Sequence, residues 1–324
     1  MNGVVAVDKP AGFTSFDVVA VMRGVCRERR IGHTGTLDPM ATGVLPLLLG
    51  TATRALPLLE DTGKEYEAGF ILGKATDTQD TTGRTTAESG ARVTRAQVEQ
   101  ALPKFRGEIF QTPPMYSAVS VNGERLYHLA RRGVEVEREK RPVTIRRIEL
   151  LAFDEETQSG RLTVACSKGT YIRTLCADLG ETLGTYGVMS SLRRTRAAGF
   201  ALSDCVTLDE AKGLGAQGIA ERVLRPVETL FSHDPEICVS PAQAVRFSNG
   251  GALEFARTIL RGKDVPQGTR FRVMTREKEF LGLGEIQAED LRVLRIFADD
   301  DLKKLVHSRC TRKADAGSIP EKHD

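Results

Sequence analysis

The sequence predicts an α+β fold: a mixed or largely antiparallel central sheet, followed by a small β-rich domain. Strand and helix patterns are interleaved without a regular alternation over the first 230 residues or so, which favours this class. After Phe231, three closely spaced strand patterns separated by turn signals replace this mixture, over 270–275, 280–286 and 291–297. A chain of 324 residues is long enough for two such domains.

The elements of the first domain follow from apolar spacing and end signals. A helix beginning near Ser15 places Val18, Met22 and Cys26 on one face. Thr94 and Gln97 have the spacing of a capping box at the start of another helix. The remaining predicted elements are strands over 4–7, 66–72, 143–153 and 162–166, a polar loop over 73–83, and a helix over 171–183 that Gly184 ends.

Composition restricts the class of protein without identifying it. The excess of 46 Lys and Arg over 43 Asp and Glu is only +3, so net charge does not indicate a nucleic-acid binder. Basic residues cluster at 23–30, 131–141 and 193–196, where they could meet phosphates or form solvated faces. The six cysteines show no metal-binding spacing, and no leader or membrane-spanning run is visible. We therefore expect a soluble cytoplasmic protein with reduced thiols.

The segment Gly32–Gly43 is the most informative stretch of the chain. Three glycines and Pro39 surround one acidic residue, Asp38, which predicts a tight loop that presents a single carboxylate. His33 precedes it by five positions. Burial of such a carboxylate raises its pKa, and a neighbouring guanidinium lowers the pKa again.

This loop closely resembles the motif of the pseudouridine synthase B family, which isomerises a uridine in the T-loop of tRNA. The resemblance implies that Asp38 is the nucleophile. It also implies a pseudouridine synthase fold and, on the weaker match of Leu283–Ile286, a C-terminal PUA-like RNA-binding domain. Further motifs, dispersed over about residues 2–298, resemble the same family.

These motifs imply the rest of the site. Cys166–Thr174 resembles a second family motif, in which the arginine, here Arg173, pairs with the aspartate. The resemblance gives Tyr66, Tyr171 and Leu192 the role of holding the uridine, and makes His33 the residue that stabilises the opened T-loop. Lys9 and Pro10 match a further family motif, and we expect them to be structural support behind Tyr66. No cofactor is expected, because the isomerisation needs no redox step and no electrophilic metal. A metal role for Asp77 and Asp80 lacks enough further ligands.

The predicted domains are a catalytic domain over 1–232, a PUA-like domain over 233–298 and a disordered tail over 299–324. An RNA-gripping insertion over about 115–141 resembles the mobile insertion of the family, although Ser120 stands where many relatives carry lysine. The resemblance implies the T-arm stem-loop of tRNA as partner and uridine 55 as target. We expect a monomer that needs no guide RNA.

Three alternative functions fit parts of the sequence. An RNA-binding or tRNA-folding protein without chemistry would keep the basic clusters but leaves the coexistence of Asp38, Tyr66 and Arg173 unexplained. A guide-RNA-dependent synthase fits the chemistry, but the long insertion and compact C-terminal domain favour the stand-alone bacterial type. Asp61-Thr62-Gly63 has the form of an aspartic-protease tripeptide, but no second copy is present.

Overall fold

A computed structural model describes residues 1–59, 63–117, 119–121 and 123–315. Asp61 and Thr62 of the protease-like tripeptide, and Ala118 of the predicted insertion, lie outside the described residues. The helices are α1 Ser15–Cys26, α2 Arg95–Ala101, α3 Leu126–Arg131, α4 Ile172–Thr182, α5 Leu208–Gly218, α6 Pro241–Ser248 and α7 Asp300–Asp315. None of the helices in these described ranges is both long enough and apolar enough to cross a bilayer.

The strands form one large sheet, one smaller sheet and two short hairpins. The strands of the first 232 residues are β1 Gly3–Lys9, β2 Ile31–His33, β3 Thr42–Leu49, β4 Lys64–Leu72, β5 Lys74–Thr76, β6 Thr85–Glu88, β7 Gly107–Gln111, β8 Ser120–Val121, β9 Glu124–Arg125, β10 Arg141–Asp154, β11 Ser159–Cys166, β12 Gly187–Ala197, β13 Phe200–Ala201 and β14 Val206–Thr207. The remaining strands are β15 Glu236–Cys238, β16 Leu253–Glu254, β17 Arg270–Met274, β18 Phe280–Gln287 and β19 Asp290–Ile296.

The large sheet is mixed, as the sequence predicts. Its order is β14-β1-β3-β12-β4-β11-β10-β7, with β2 beside β3 and β13 beside β12. The β1–β14 and β3–β12 pairs are parallel, and the other pairs are antiparallel. The parallel register sets Arg194 of β12 opposite Gly43 of β3. This brings β12 to the end of the loop over residues 34–41 that carries Asp38 (the Asp38 loop).

Local sequence accounts for the helices that carry site residues. Thr14 caps α1 and exchanges the two capping-box hydrogen bonds with Asp17. In α4, Ile172, Leu175, Cys176 and Leu179 are buried and form its apolar face. Arg173, which the helical spacing places off this apolar face, is buried as well, at 5% exposure. The reason is that its side chain enters the site instead of solvent.

The second, β-rich domain is confirmed: β15, β17, β18, β19 and β16 form a five-stranded sheet in that order. It contacts the first domain through an apolar cluster of Ala55, Phe231, Leu283 and Phe297.

The prediction of a disordered tail is wrong for residues 300–315, which form α7. Val306 of this helix is 2% exposed and joins the core of the second domain. Arg309 pairs with Glu277 and Glu279 at 3.2 Å and 2.5 Å. A few apolar contacts and ion pairs thus order a segment whose composition is mostly charged. Residues 316–324 lie outside the described part of the chain.

Candidate active site

The Asp38 loop connects β2 to β3 and is held from below by two side chains. Ser15 Oγ accepts a hydrogen bond from Leu37 N at 2.8 Å and donates to Leu37 O at 3.3 Å. Lys9 is fully buried, and its Nζ donates to the carbonyls of Pro10, Phe13 and Pro39 at 2.9, 2.5 and 3.3 Å. Burial lowers the pKa of Lys9 to about 8, against the opposing charge of Asp38. The predicted pair Lys9–Pro10 is therefore placed beneath the loop.

Asp38 and Arg173, 135 residues apart, meet in a two-point contact. Arg173 Nε lies 3.0 Å from Asp38 Oδ2, and Arg173 Nη2 donates to Oδ1 at 3.3 Å. The same guanidinium donates to the carbonyls of Thr78 at 3.0 Å and Tyr116 at 2.8 Å. These four contacts fix the orientation of the guanidinium, and the guanidinium in turn fixes the orientation of the Asp38 carboxylate.

Burial sets the charge state of Asp38. It raises the pKa of the carboxyl above the ordinary 3.8, Arg173 works in the opposite direction, and the nearby charge of Asp80 adds to the increase. The guanidinium thus offsets part of the cost of holding a carboxylate there. The Asp38 side chain keeps 33% exposure, which faces the cavity described below.

The loop over 76–82 supports Arg173 from behind. Asp80 is 5% exposed, and its Oδ1 accepts hydrogen bonds from Thr78 Oγ1, Thr82 N and Thr82 Oγ1 at 2.8, 2.9 and 2.6 Å. Thr78 in turn supplies a carbonyl to Arg173. Among the described residues, no three His, Cys, Asp or Glu side chains are grouped so as to hold a metal ion.

Tyr66 lines the cavity described below, and the buried Arg194 hydrogen-bonds to it. Tyr66 is 6% exposed, and burial raises the pKa of its hydroxyl to about 12, although Arg194 opposes this. Arg194 is fully buried. Its Nε, Nη2 and Nη1 donate to the carbonyls of Val44, Gly35 and Thr36 at 2.7, 3.1 and 3.4 Å. The Tyr66 hydroxyl is consequently neutral at physiological pH and accepts a hydrogen bond from Arg194. Arg194 thus connects the Asp38 loop, through Gly35 and Thr36, to the start of β3.

Sequence reasoning missed Arg194 as a site residue, because it grouped this side chain with a cluster available to phosphates. The structure contradicts that interpretation for Arg194, and Arg193 pairs with Asp8 at 2.8 Å. Arg194 is buried because β12 runs parallel to β3 and passes Gly43 so closely that a Cβ on Gly43 would lie 2.1 Å from Arg194 O. Only glycine permits so close an approach at this position, where φ is +104°.

Gln111 is a second residue that sequence reasoning missed. Its Oε1 accepts from Tyr171 N at 2.9 Å, and its Nε2 donates to Tyr171 O at 3.2 Å. Gln111 is 2% exposed and lies 60 residues from Tyr171 in the chain, so no local sequence pattern indicates this contact. It fixes the backbone on which Tyr171 is carried.

All six predicted catalytic and substrate-binding residues line one cavity of about 830 Å³. These six residues are His33, Asp38, Tyr66, Tyr171, Arg173 and Leu192. Tyr116, Ser117, Arg125 and Tyr127 of the predicted insertion line it as well. His33 Nδ1 is buried without a hydrogen-bond partner in the described part of the chain, and burial lowers the pKa of its imidazole.

Models of known protein families match this chain. A family model described as TruB family pseudouridylate synthase (N terminal domain) matches residues 23–172. Models described as tRNA pseudouridylate synthase B C-terminal domain and as pseudouridine synthase II TruB, C-terminal, match 173–232 and 235–297. The three models together extend over most of the chain.

Curated relatives and solved structures agree with these models. Proteins called tRNA pseudouridine synthase B match from Pseudomonas fluorescens Pf0-1, 44% identical over 90% of this chain and 94% of the relative, and from Geobacillus thermodenitrificans NG80-2, 46% identical over 78% and 86%. A solved structure titled as a Cbf5-Nop10-Gar1 complex contains a chain that is 27% identical with a TM-score of 0.69, covering 93% of this chain and 86% of that one.

Fold and site together define a pseudouridine synthase fold with a β-rich C-terminal domain. The chain belongs to the TruB family of pseudouridylate synthases, a family of enzymes.

Proposed function

We propose that this protein converts uridine 55 in the T-loop of tRNA to pseudouridine, with Asp38 as nucleophile. The observation that carries the proposal is the two-point contact of Asp38 with the buried Arg173 at the wall of a cavity of about 830 Å³. That volume lies within the range of pockets that enclose small organic ligands, and a nucleotide has such a size. The relatives called tRNA pseudouridine synthase B support tRNA as the substrate.

The reaction is an isomerisation. The C1′–N1 bond of the nucleotide breaks, a C1′–C5 bond forms, and the proton on C5 is lost as N1 gains one. A carboxylate serves as nucleophile whether it attacks the sugar or the base, provided that it is ionised and aimed. Arg173 supplies both conditions, because its charge opposes the burial of Asp38 and its fork sets the direction of the carboxylate.

The remaining cavity residues suit an extruded base. A base in a folded loop is stacked and must be flipped out before chemistry. We assign Tyr66, Tyr171 and Leu192 to holding the flipped uracil, with burial keeping the hydroxyl of Tyr66 in its neutral form. His33 is assigned to the displaced part of the T-loop, and burial favours its neutral form.

The proposal extends to the other parts of the chain. The insertion over 115–141 grips the T-arm, since Tyr116, Arg125 and Tyr127 line the cavity mouth with rings and positive charge. The β-rich domain adds affinity for the RNA. We propose that the protein acts as a monomer in the cytoplasm without a guide RNA.

The test is tritium release from a tRNA transcript labelled at C5 of uridine. Wild type should release tritium from position 55 without added cofactor or metal, and Asp38→Asn should bind the transcript and release none. Asp209→Asn, which changes a 94% exposed carboxylate, is the matched control and should behave as wild type. Turnover by Asp38→Asn would contradict the assignment of the nucleophile.

The same experiment separates the second candidate function, an RNA-binding or tRNA-folding protein. Tight binding by wild type with no release at any uridine would favour that function. Release that requires an added RNA would instead indicate a guide.

A further inference from the structure

An exposed aromatic ring lies at the rim of the cavity and has no place in the site so far. Phe16, the second residue of α1, is 62% exposed and lines the same cavity as Asp38. A single exposed apolar side chain needs no explanation by itself. Its attachment to the Asp38 loop and its stacking partner distinguish this ring from the others on the surface.

Phe16 is held at a fixed position relative to Asp38. Its neighbour Ser15 makes two hydrogen bonds to the backbone of Leu37, the residue before Asp38. Thr14 and Asp17 close the capping box around it, so the first turn of α1 is well defined. The ring is therefore presented by a rigid element and not by a loop.

A guanidinium lies over the ring. The Cζ of Arg23 is 5.5 Å from the centroid of Phe16. Seven residues are two helical turns, so both side chains lie on the same face of α1, and helical side chains lean toward the N-terminus. Arg23 thereby occupies one face of the ring and places positive charge next to it, which leaves the other face available.

We propose that Phe16 is a stacking platform for an unpaired base of the RNA substrate, at the cavity rim beside the uridine that enters. The inference rests on the proposed function, because the occupant belongs to the RNA that is modified. Proteins read single-stranded RNA mainly by stacking splayed bases on aromatic rings, and adjacent guanidinium groups suit the phosphates. Removing one base of the loop exposes its neighbours, and Phe16 covers one of them.

The experiment measures the affinity of a T-arm hairpin for Phe16 variants in an Asp38→Asn background, where no turnover interferes. Phe16→Ala should weaken binding by about 5- to 150-fold, the range that one stacked base represents. Phe16→Trp should retain the affinity, and Phe16→Leu, which is apolar but not aromatic, should behave as Phe16→Ala. The exposed position predicts unchanged thermal stability for all three.

Phe110 provides a matched control. It is also 62% exposed, but it precedes Gln111 in β7 and so faces away from the side on which Gln111 holds Tyr171. Phe110→Ala should bind the hairpin within about twofold of the parent. Equal losses for the two alanine variants would indicate a general surface effect and overturn the proposal.

Hairpins with a single abasic position identify the base. At one loop position the abasic change and Phe16→Ala should be strongly non-additive, because both remove the same stack. Additivity at every position, unchanged binding by Phe16→Ala, or full rescue by Phe16→Leu would overturn the inference and favour a protein contact for this ring. Tritium release by the wild-type protein tests the proposed function separately.

Discussion

Two buried guanidinium groups reach the Asp38 loop from different elements, and they are bonded differently. Arg173 of α4 contacts the carboxylate itself, and two backbone carbonyls complete its fork. Arg194 of β12 donates to three carbonyls of the loop and of β3 that follows it. The comparison shows that the same residue type contacts the Asp38 carboxylate on one side of the loop and holds the path of the loop backbone on the other.

If this division is right, Arg173→Lys has the largest effect on rate. Lysine keeps the positive charge but not the two-point contact, so the direction of Asp38 is lost. We expect the single-turnover rate to fall about 100-fold or more, the cost of a misplacement near 1 Å, with hairpin affinity unchanged. Arg95→Lys, in an exposed ion pair with Glu99, is the control. An equal loss of affinity would show that Arg173 mainly binds RNA.

The pH dependence of the rate tests the effect of Arg173 on the charge of Asp38. The proposed mechanism needs Asp38 in its ionised form. Burial raises the pKa of this carboxyl above 3.8, so the rate should fall on the acid side at a pH above the pKa of an ordinary aspartate. Arg173 lowers this pKa, and Arg173→Gln should therefore move the acid limb to still higher pH. A limb that stays in place would show that Asp38 is not the titrating group.

Arg194→Lys should act first on stability. Three backbone carbonyls lose a fork that a single ammonium cannot replace, and an unsatisfied buried group costs roughly 1–3 kcal/mol. We expect the free energy of unfolding to fall by about 2–4 kcal/mol, with a smaller loss of rate than Arg173→Lys. Chemical denaturation measures this, with the neighbouring, half-exposed Arg193→Lys as control. If the rate falls as steeply as for Arg173→Lys with little change in stability, the two arginines do not divide the work in this way.

Arg173 and Arg194 also differ in whether the sequence can predict them as site residues. Asp38 and Arg173 could be found because each stands in a short motif with its own turn or helix chemistry. Arg194 could not, since a charged side chain in an arginine-rich segment normally indicates surface, and its burial depends on strands β3 and β12 meeting 150 residues apart. Gln111 and helix α7 were missed for the same physical reason: their contacts are tertiary and leave little periodicity.

Ser15→Ala should have the smallest effect on the rate, because it removes only one hydroxyl that supports the Asp38 loop. Its hydroxyl is the acceptor for Leu37 N in a position that is 2% exposed, so the substitution leaves a buried donor without its partner. We expect the free energy of unfolding to fall by about 1–3 kcal/mol and the rate by less than about tenfold. Ser248→Ala is the matched control, because Ser248 is 4% exposed and its hydroxyl has no hydrogen-bond partner among the described residues. Equal stability losses in the two variants would show that burial of a hydroxyl, and not the bond to Leu37, determines the cost.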